Sequence, residues 1–131
     1  IIINGGNQKR PNIHIQDMVN AYLEILNQQN EFVNDEIFNI GFENYTLDEI
    51  GELVKEKIGN DIVIDHQETN DNRSYHISSN KIRKQLGFLP QFSIEKAIED
   101  LKQAFEKKLL YNSFDDPKYF NIKMMQEINL Q

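Results

Sequence analysis

The chain has 131 residues, 39% of them hydrophobic and 27% charged, with a formal net charge of −7 and no cysteine. That length suits one modest domain; eight Phe and five Tyr argue against disorder, and so acidic a surface repels nucleic acid and anionic membrane over most of its area. The lack of cysteine excludes a disulfide scaffold, a thiolate metal site and a cysteine nucleophile, and fits a reducing compartment; no apolar run approaches the ~20 residues that span a bilayer.

The first residues, IIINGG, are a β-branched run stopped by Gly5-Gly6, which predicts a strand end and a turn. The run is too short for a signal segment, and a start at Ile rather than Met carries the expectation that sequence lies upstream. QKRP then sets Lys9 and Arg10 against a proline in an otherwise acidic chain, so they are either surface charges or a grip for something anionic. NIHI (12–15) alternates and predicts a second short strand. From Asp17 the period becomes helical, with Asp17 as the expected cap and Met18, Val19, Tyr22, Leu23 and Leu26 on one face.

IFNIG (37–41) predicts a buried strand. YTLDE after it is a complete helix start, with Thr46 as N-cap, Glu49 closing a capping box and Tyr45 stapling onto Ile50. Leu47, Ile50, Leu53, Val54 and Ile58 continue that helix to Gly59. DIVID (61–65) predicts another strand, and HQETNDNRSYH (66–76) a polar loop. SSNKIRKQLGF reads as a short helix ending at Gly87, and the stretch from LPQF onward as the longest helix, with Ile94, Ala97, Ile98, Leu101, Phe105 and Leu109 on one face. The tail from Asn112 is expected to be irregular. Strands interleaved with helices point to an α/β fold. Too few strands are present to cover a parallel sheet on both edges, which suggests part of a larger α/β protein.

Several patterns carry little chemistry. Gly41 stands alone where a dinucleotide loop needs several glycines, so it reads as a plain βα turn. Tyr119 and Lys123 have the Tyr-x-x-x-Lys spacing, but in a tail with no glycine-rich loop before it, and read as coincidence. His66 and His76 flank Asp65, Glu68 and Asp71 at spacings that match no compact metal motif, so no metal site is assigned. His14 reads as structural. Arg10 and Arg73 remain: two always-charged guanidinium forks from separate segments suit a diphosphate, although many arginines are simply solvated.

Three segments in series, NGGNQKRPNIHIQDMVNAYLEIL, IFNIGFENYTLDEIGELV and NRSYHISSNKIRKQLGFLPQFSIEKAIEDL, resemble the C-terminal portion of NAD-dependent nucleotide-sugar epimerases and dehydratases. These are the extended short-chain dehydrogenases, and the resemblance runs from residue 1 to about residue 110. It implies a single partial domain over 1–131, the substrate-binding lobe of a Rossmann-type fold. By the same resemblance Arg10, in R-x-x-x-H-x-x-D, and Arg73, in the loop before K-I-x-x-x-L-G-F, reach the substrate's diphosphate. Gln8 matches a polar position near the substrate, and Ile3 matches a base-packing position that is often aromatic in the family. His14 and Asp17 match structural positions.

No catalytic or cofactor-binding residue is assigned within these 131 residues. NAD or NADP would be bound mainly by an N-terminal half, which would be the chain's partner alongside a nucleotide-diphosphate sugar and a second copy of itself. Neither nucleic acid nor membrane is expected as a partner, and the resemblance implies a cytoplasmic enzyme. The alternative is a non-catalytic protein-interaction module or split subunit.

Overall fold

The computed structural model describes residues 1–71 and 73–129, so Asn72 of the polar loop lies outside the described residues, as do positions 130 and 131. Two compact units are present, Ile1–Asp100 and Leu101–Gln131. In the first, β1 (Ile2–Asn4) pairs in parallel with β4 (Asp65–Gln67), Ile3 opposite His66. The Gly5-Gly6 turn follows, with φ of +84° and +142° that side chains rarely adopt, and a Cβ on Gly6 would run into the Asp48 carboxylate. β2 (Lys9–Asn12) then pairs antiparallel with β3 (Glu43–Thr46), Arg10 opposite Tyr45. Proline is tolerated in so short a strand because few ladder bonds are lost.

The second strand therefore lies earlier than the alternation of 12–15 suggests. His14 is the reason: its Nδ1 accepts the Gln16 N–H at 3.1 Å, so the chain is already capping α1 (Ile15–Asn27). Asp17 caps a different segment. Fully buried, it accepts from Gln91 N (3.0 Å to each oxygen) and Phe92 N (2.8 Å), tying the segment after Gly87 to α1.

α1 is apolar on two faces, and the buried one is not the predicted one. Asp17 and Ala21 are buried with Met18 and Ile25 half-buried, while Val19, Tyr22, Leu23 and Leu26 are exposed. Ala21 packs with Ile82, Leu86 and Phe88, flanked by Ile25, Val33, Phe38 and Ile40, and this is the core of the first unit. The short α2 (Asn30–Val33) supplies Val33. Residues 37–41 do not form a paired strand among the described residues. Phe38 and Ile40 turn in and Ile37 and Asn39 turn out, so the alternation is real but serves packing against the core rather than a ladder.

β3 leads directly into α3 (Leu47–Ile58), whose capping box is formed as expected: Thr46 Oγ1 accepts from Glu49 N (3.1 Å) and Glu49 Oε2 accepts from Thr46 N (2.7 Å). Gly59 ends the helix. The predicted strand 61–65 begins only at Asp65, where β1 becomes available as its neighbour. α4 (Asn80–Leu86) ends at Gly87 in the left-handed region, also as expected. α5 (Ile94–Glu106) equals α1 in length and stops short of Leu109. The tail of the second unit is more regular than expected, with a 3₁₀ turn at Pro117–Tyr119 and α6 (Asn121–Glu127).

Candidate functional site

β2 has two neighbours. β3 lies along one edge, and the segment after Arg73 docks along the other: Tyr75 N donates to Lys9 O (3.0 Å) and Lys9 N donates to Ser74 Oγ (2.9 Å). This docking brings Arg10 and Arg73 together across 63 residues of sequence. Arg10 Nη1 donates to the Arg73 carbonyl at 2.6 Å, and both guanidiniums lie over the Tyr75 ring, at 5.3 Å for Arg10 and 5.9 Å for Arg73.

Asp71 completes the group. Arg73 Nε and Nη2 donate to its two carboxylate oxygens at 2.7 and 2.9 Å, its backbone N–H reaches the same carboxylate at 3.2 Å, and Arg10 Nη2 is 3.8 Å away. Arg73's side-chain and backbone hydrogen bonds hold the Asp71 carboxyl down at about 2, and Asp71 in turn raises Arg73. The cluster is open to water, with the Arg73 side chain 72% exposed and that of Arg10 28%. Beside it, Ser74 lines a cleft of about 320 Å³ together with Gly5, Gly6, Asn7 and Gln8.

Gln8 and Ile3 do not join the arginines. The Gln8 amide is spent on the glycine turn, accepting from Gly6 N and donating to Asn4 O, each at 2.7 Å. Ile3 is buried, and its side chain fills the space beside Gly51 of α3, so it does not present a face for a base to stack on. Lys9 is exposed, next to Arg10 in an extended strand and therefore on the other side of it. The sequence weighs Asp71 only against a metal site with His66 and His76, and assigns Tyr75 no role. The signal was nonetheless there: Asp71 and Tyr75 each stand two residues from Arg73.

The other sequence candidates resolve individually. His66 Nε2 is 2.8 Å from Asp48 Oδ1. No group of three or more His, Asp or Glu side chains suited to a metal ion occurs among the described residues. His14, with Nδ1 accepting from Gln16, must carry its proton on Nε2, which donates to Asp100 Oδ2 at 3.2 Å while the ring packs on Phe92. Lys123 lies over the Phe120 ring, 4.1 Å from its centroid. A second cavity, of about 310 Å³, is lined by residues that include His76, Ser78 and Arg83.

A dinucleotide cradle does not fit these residues. The Gly41 N–H donates to Ser79 Oγ (2.8 Å), Gly6 N to Gln8, and Gly5 N to Gln67 O (2.8 Å). Backbone N–H groups that would hold a pyrophosphate are thus satisfied internally in both glycine turns that follow extended segments. No helix among the described residues is long and apolar enough to cross a membrane.

The family model of the NAD dependent epimerase/dehydratase family matches residues 1–41, the stretch that carries β1, the glycine turn, Arg10 and α1. Over those residues the chain is similar to the NAD-dependent epimerases and dehydratases. Among solved structures, UDP-glucose 4-epimerase of Thermotoga maritima, determined with UDP-glucose, superposes with a TM-score of 0.73 at 26% identity, over 83% of this chain and 35% of that one. UDP-glucuronic acid 4-epimerase of Bacillus cereus, in complex with UDP-glucuronic acid and NAD, gives 0.71 at 17% identity, over 82% and 35%. L-threonine dehydrogenase of Phytophthora infestans gives 0.72 at 17%, over 82% and 37%. The fold is therefore that of the Rossmann-type short-chain dehydrogenases, of which this chain spans about a third of the length. No curated protein matches the chain.

Proposed function

We propose that this chain is the substrate-binding portion of an NAD(P)-dependent nucleotide-sugar epimerase or dehydratase, in which Arg10 and Arg73 hold the diphosphate. One observation carries the reading: a loop distant in sequence docks on β2 so that two guanidiniums converge over one aromatic ring. Arginine forks are permanently charged and match phosphate oxygens in pairs, so two of them suit a diphosphate better than a single carboxylate. The L-threonine dehydrogenases share the fold, but an amino-acid substrate offers only one carboxylate to this pair.

The neighbouring cleft lined by Gly5, Gly6 and Ser74 gives the rest of a nucleotide sugar somewhere to lie. On this reading the chain's residues bind and orient, and the nicotinamide cofactor supplies hydride chemistry from protein outside these 131 residues. The glycine turns here keep their N–H groups for the fold. A ³¹P titration of UDP-glucose tests the proposal: both phosphorus signals should move with the unaltered chain and stay put with Arg10→Ala. Equal movement with both chains would remove the assignment.

A further inference from the structure

We propose that Asp71 is an internal anion which occupies the Arg10–Arg73 seat in the free chain and is displaced when a diphosphate binds. The inference rests on the diphosphate reading of this site and adds a competitor to it. A carboxylate on a guanidinium fork uses the same two donors that a phosphate would use. Arg73 Nε and Nη2 each hold one Asp71 oxygen, at 2.7 and 2.9 Å, so this fork cannot serve a ligand until Asp71 lets go. Arg10 is turned the same way, with Nη2 3.8 Å from Asp71 Oδ2.

Displacement is structurally cheap. The Asp71 side chain is 43% exposed and can rotate into water without unfolding anything. What holds the guanidiniums does not leave with it: the Tyr75 ring backs both, and Arg10 Nη1 stays on the carbonyls of Lys9 (3.0 Å) and Arg73 (2.6 Å). The Arg73 backbone N–H, now on Asp71 Oδ1, is released at the same moment and becomes a third donor for the incoming anion. A ligand with one carboxylate gains no more from the fork than Asp71 already gives, and still loses the freedom of association. A diphosphate brings more charge and reaches both arginines. Asp71 thereby sets a charge threshold for entry.

The test is calorimetric titration of the 131-residue chain with inorganic pyrophosphate, comparing the unaltered chain with Asp71→Asn, Glu68→Gln, Arg10→Ala and Arg73→Ala. Asp71→Asn should tighten binding roughly three- to tenfold, the worth of one exposed but bidentate pair. Glu68→Gln removes the same charge from the same loop without freeing a fork, and should change affinity less than about twofold. No tightening by Asp71→Asn, with Arg10→Ala and Arg73→Ala still weakening binding, would overturn the competitor and leave the diphosphate site standing. Equal tightening by Glu68→Gln would also overturn it, because general charge would then explain the effect. Binding unaffected by either arginine, or absent in every chain, would remove the diphosphate reading and this inference with it.

Discussion

Asp17→Ala is the most informative stability perturbation. The carboxylate is fully buried and accepts two backbone donors, Gln91 N at 3.0 Å and Phe92 N at 2.8 Å. A hydrogen bond to a charged acceptor is worth about 1.5–3 kcal/mol, and removing that acceptor leaves the donors unpaired unless water enters. Two such donors put the loss at about 3–6 kcal/mol, and relaxation of the 90–92 segment toward solvent favours the lower end. That is a large fraction of the ~5–15 kcal/mol that stabilises an ordinary domain. Asp17→Asn keeps one carbonyl acceptor but turns an N–H₂ group toward N–H donors, so it should fall between the two. Urea denaturation followed by circular dichroism reads the global loss, and hydrogen exchange at Gln91 and Phe92 reads the local one. An Asp17→Ala cost below about 1 kcal/mol, or unchanged exchange at both amides, would refute the bracing role.

Further expectations follow from the turn, the acid cluster and α1. Gly6→Ala meets both φ +142° and the Asp48 carboxylate and should cost about 1–3 kcal/mol in denaturant melts; a change within ~0.5 kcal/mol would contradict the close approach. Asp71 titrates at about 2 in the folded chain, below its ordinary value of 3.8, so its contribution is present above about pH 4 and fades as pH falls through 2. Asp71→Asn should therefore be less stable than the unaltered chain at neutral pH and converge with it near pH 2, and a gap independent of pH would contradict the pairing. The second apolar face of α1, with Tyr22, Leu23 and Leu26 exposed, should drive self-association visible in light scattering. Leu23→Gln with Leu26→Gln should abolish this without lowering the melting temperature, whereas a strictly monomeric unaltered chain at high concentration would count against the role of that face.

What was legible in the sequence was mostly local. The Thr46–Glu49 capping box and the glycine stops at 59 and 87 are written in adjacent residues, and the structure forms all three. The strands were misplaced because short pairings are decided by their partners: β2 begins at Lys9 because β3 and the Ser74–Tyr75 segment lie alongside it. The face of α1 was misread because its apolar residues fit two helical stripes, and only packing against Ile82, Leu86 and Phe88 selects the one through Ala21 and Ile25. In the candidate site the arginine pair could be named from the resemblance, but its convergence could not be, since Arg10 meets Arg73 across 63 residues of chain and meets Asp71 and Tyr75 across similar stretches. The tail helix was missed because seven residues with mixed polarity leave almost no period to read.

The central claim is that Arg10 and Arg73 form one diphosphate seat, and the most direct test is calorimetric titration of UDP-glucose into four single variants. Arg10→Ala and Arg73→Ala should each weaken binding about tenfold or more, the loss of a charge-assisted, paired contact. Arg10→Lys should recover only part of the affinity, because an ammonium lacks the fork. Lys9→Ala, adjacent in sequence but on the other side of β2, should change it less than about twofold. Equal small effects across Lys9, Arg10 and Arg73 would contradict the account and return both arginines to ordinary surface charge.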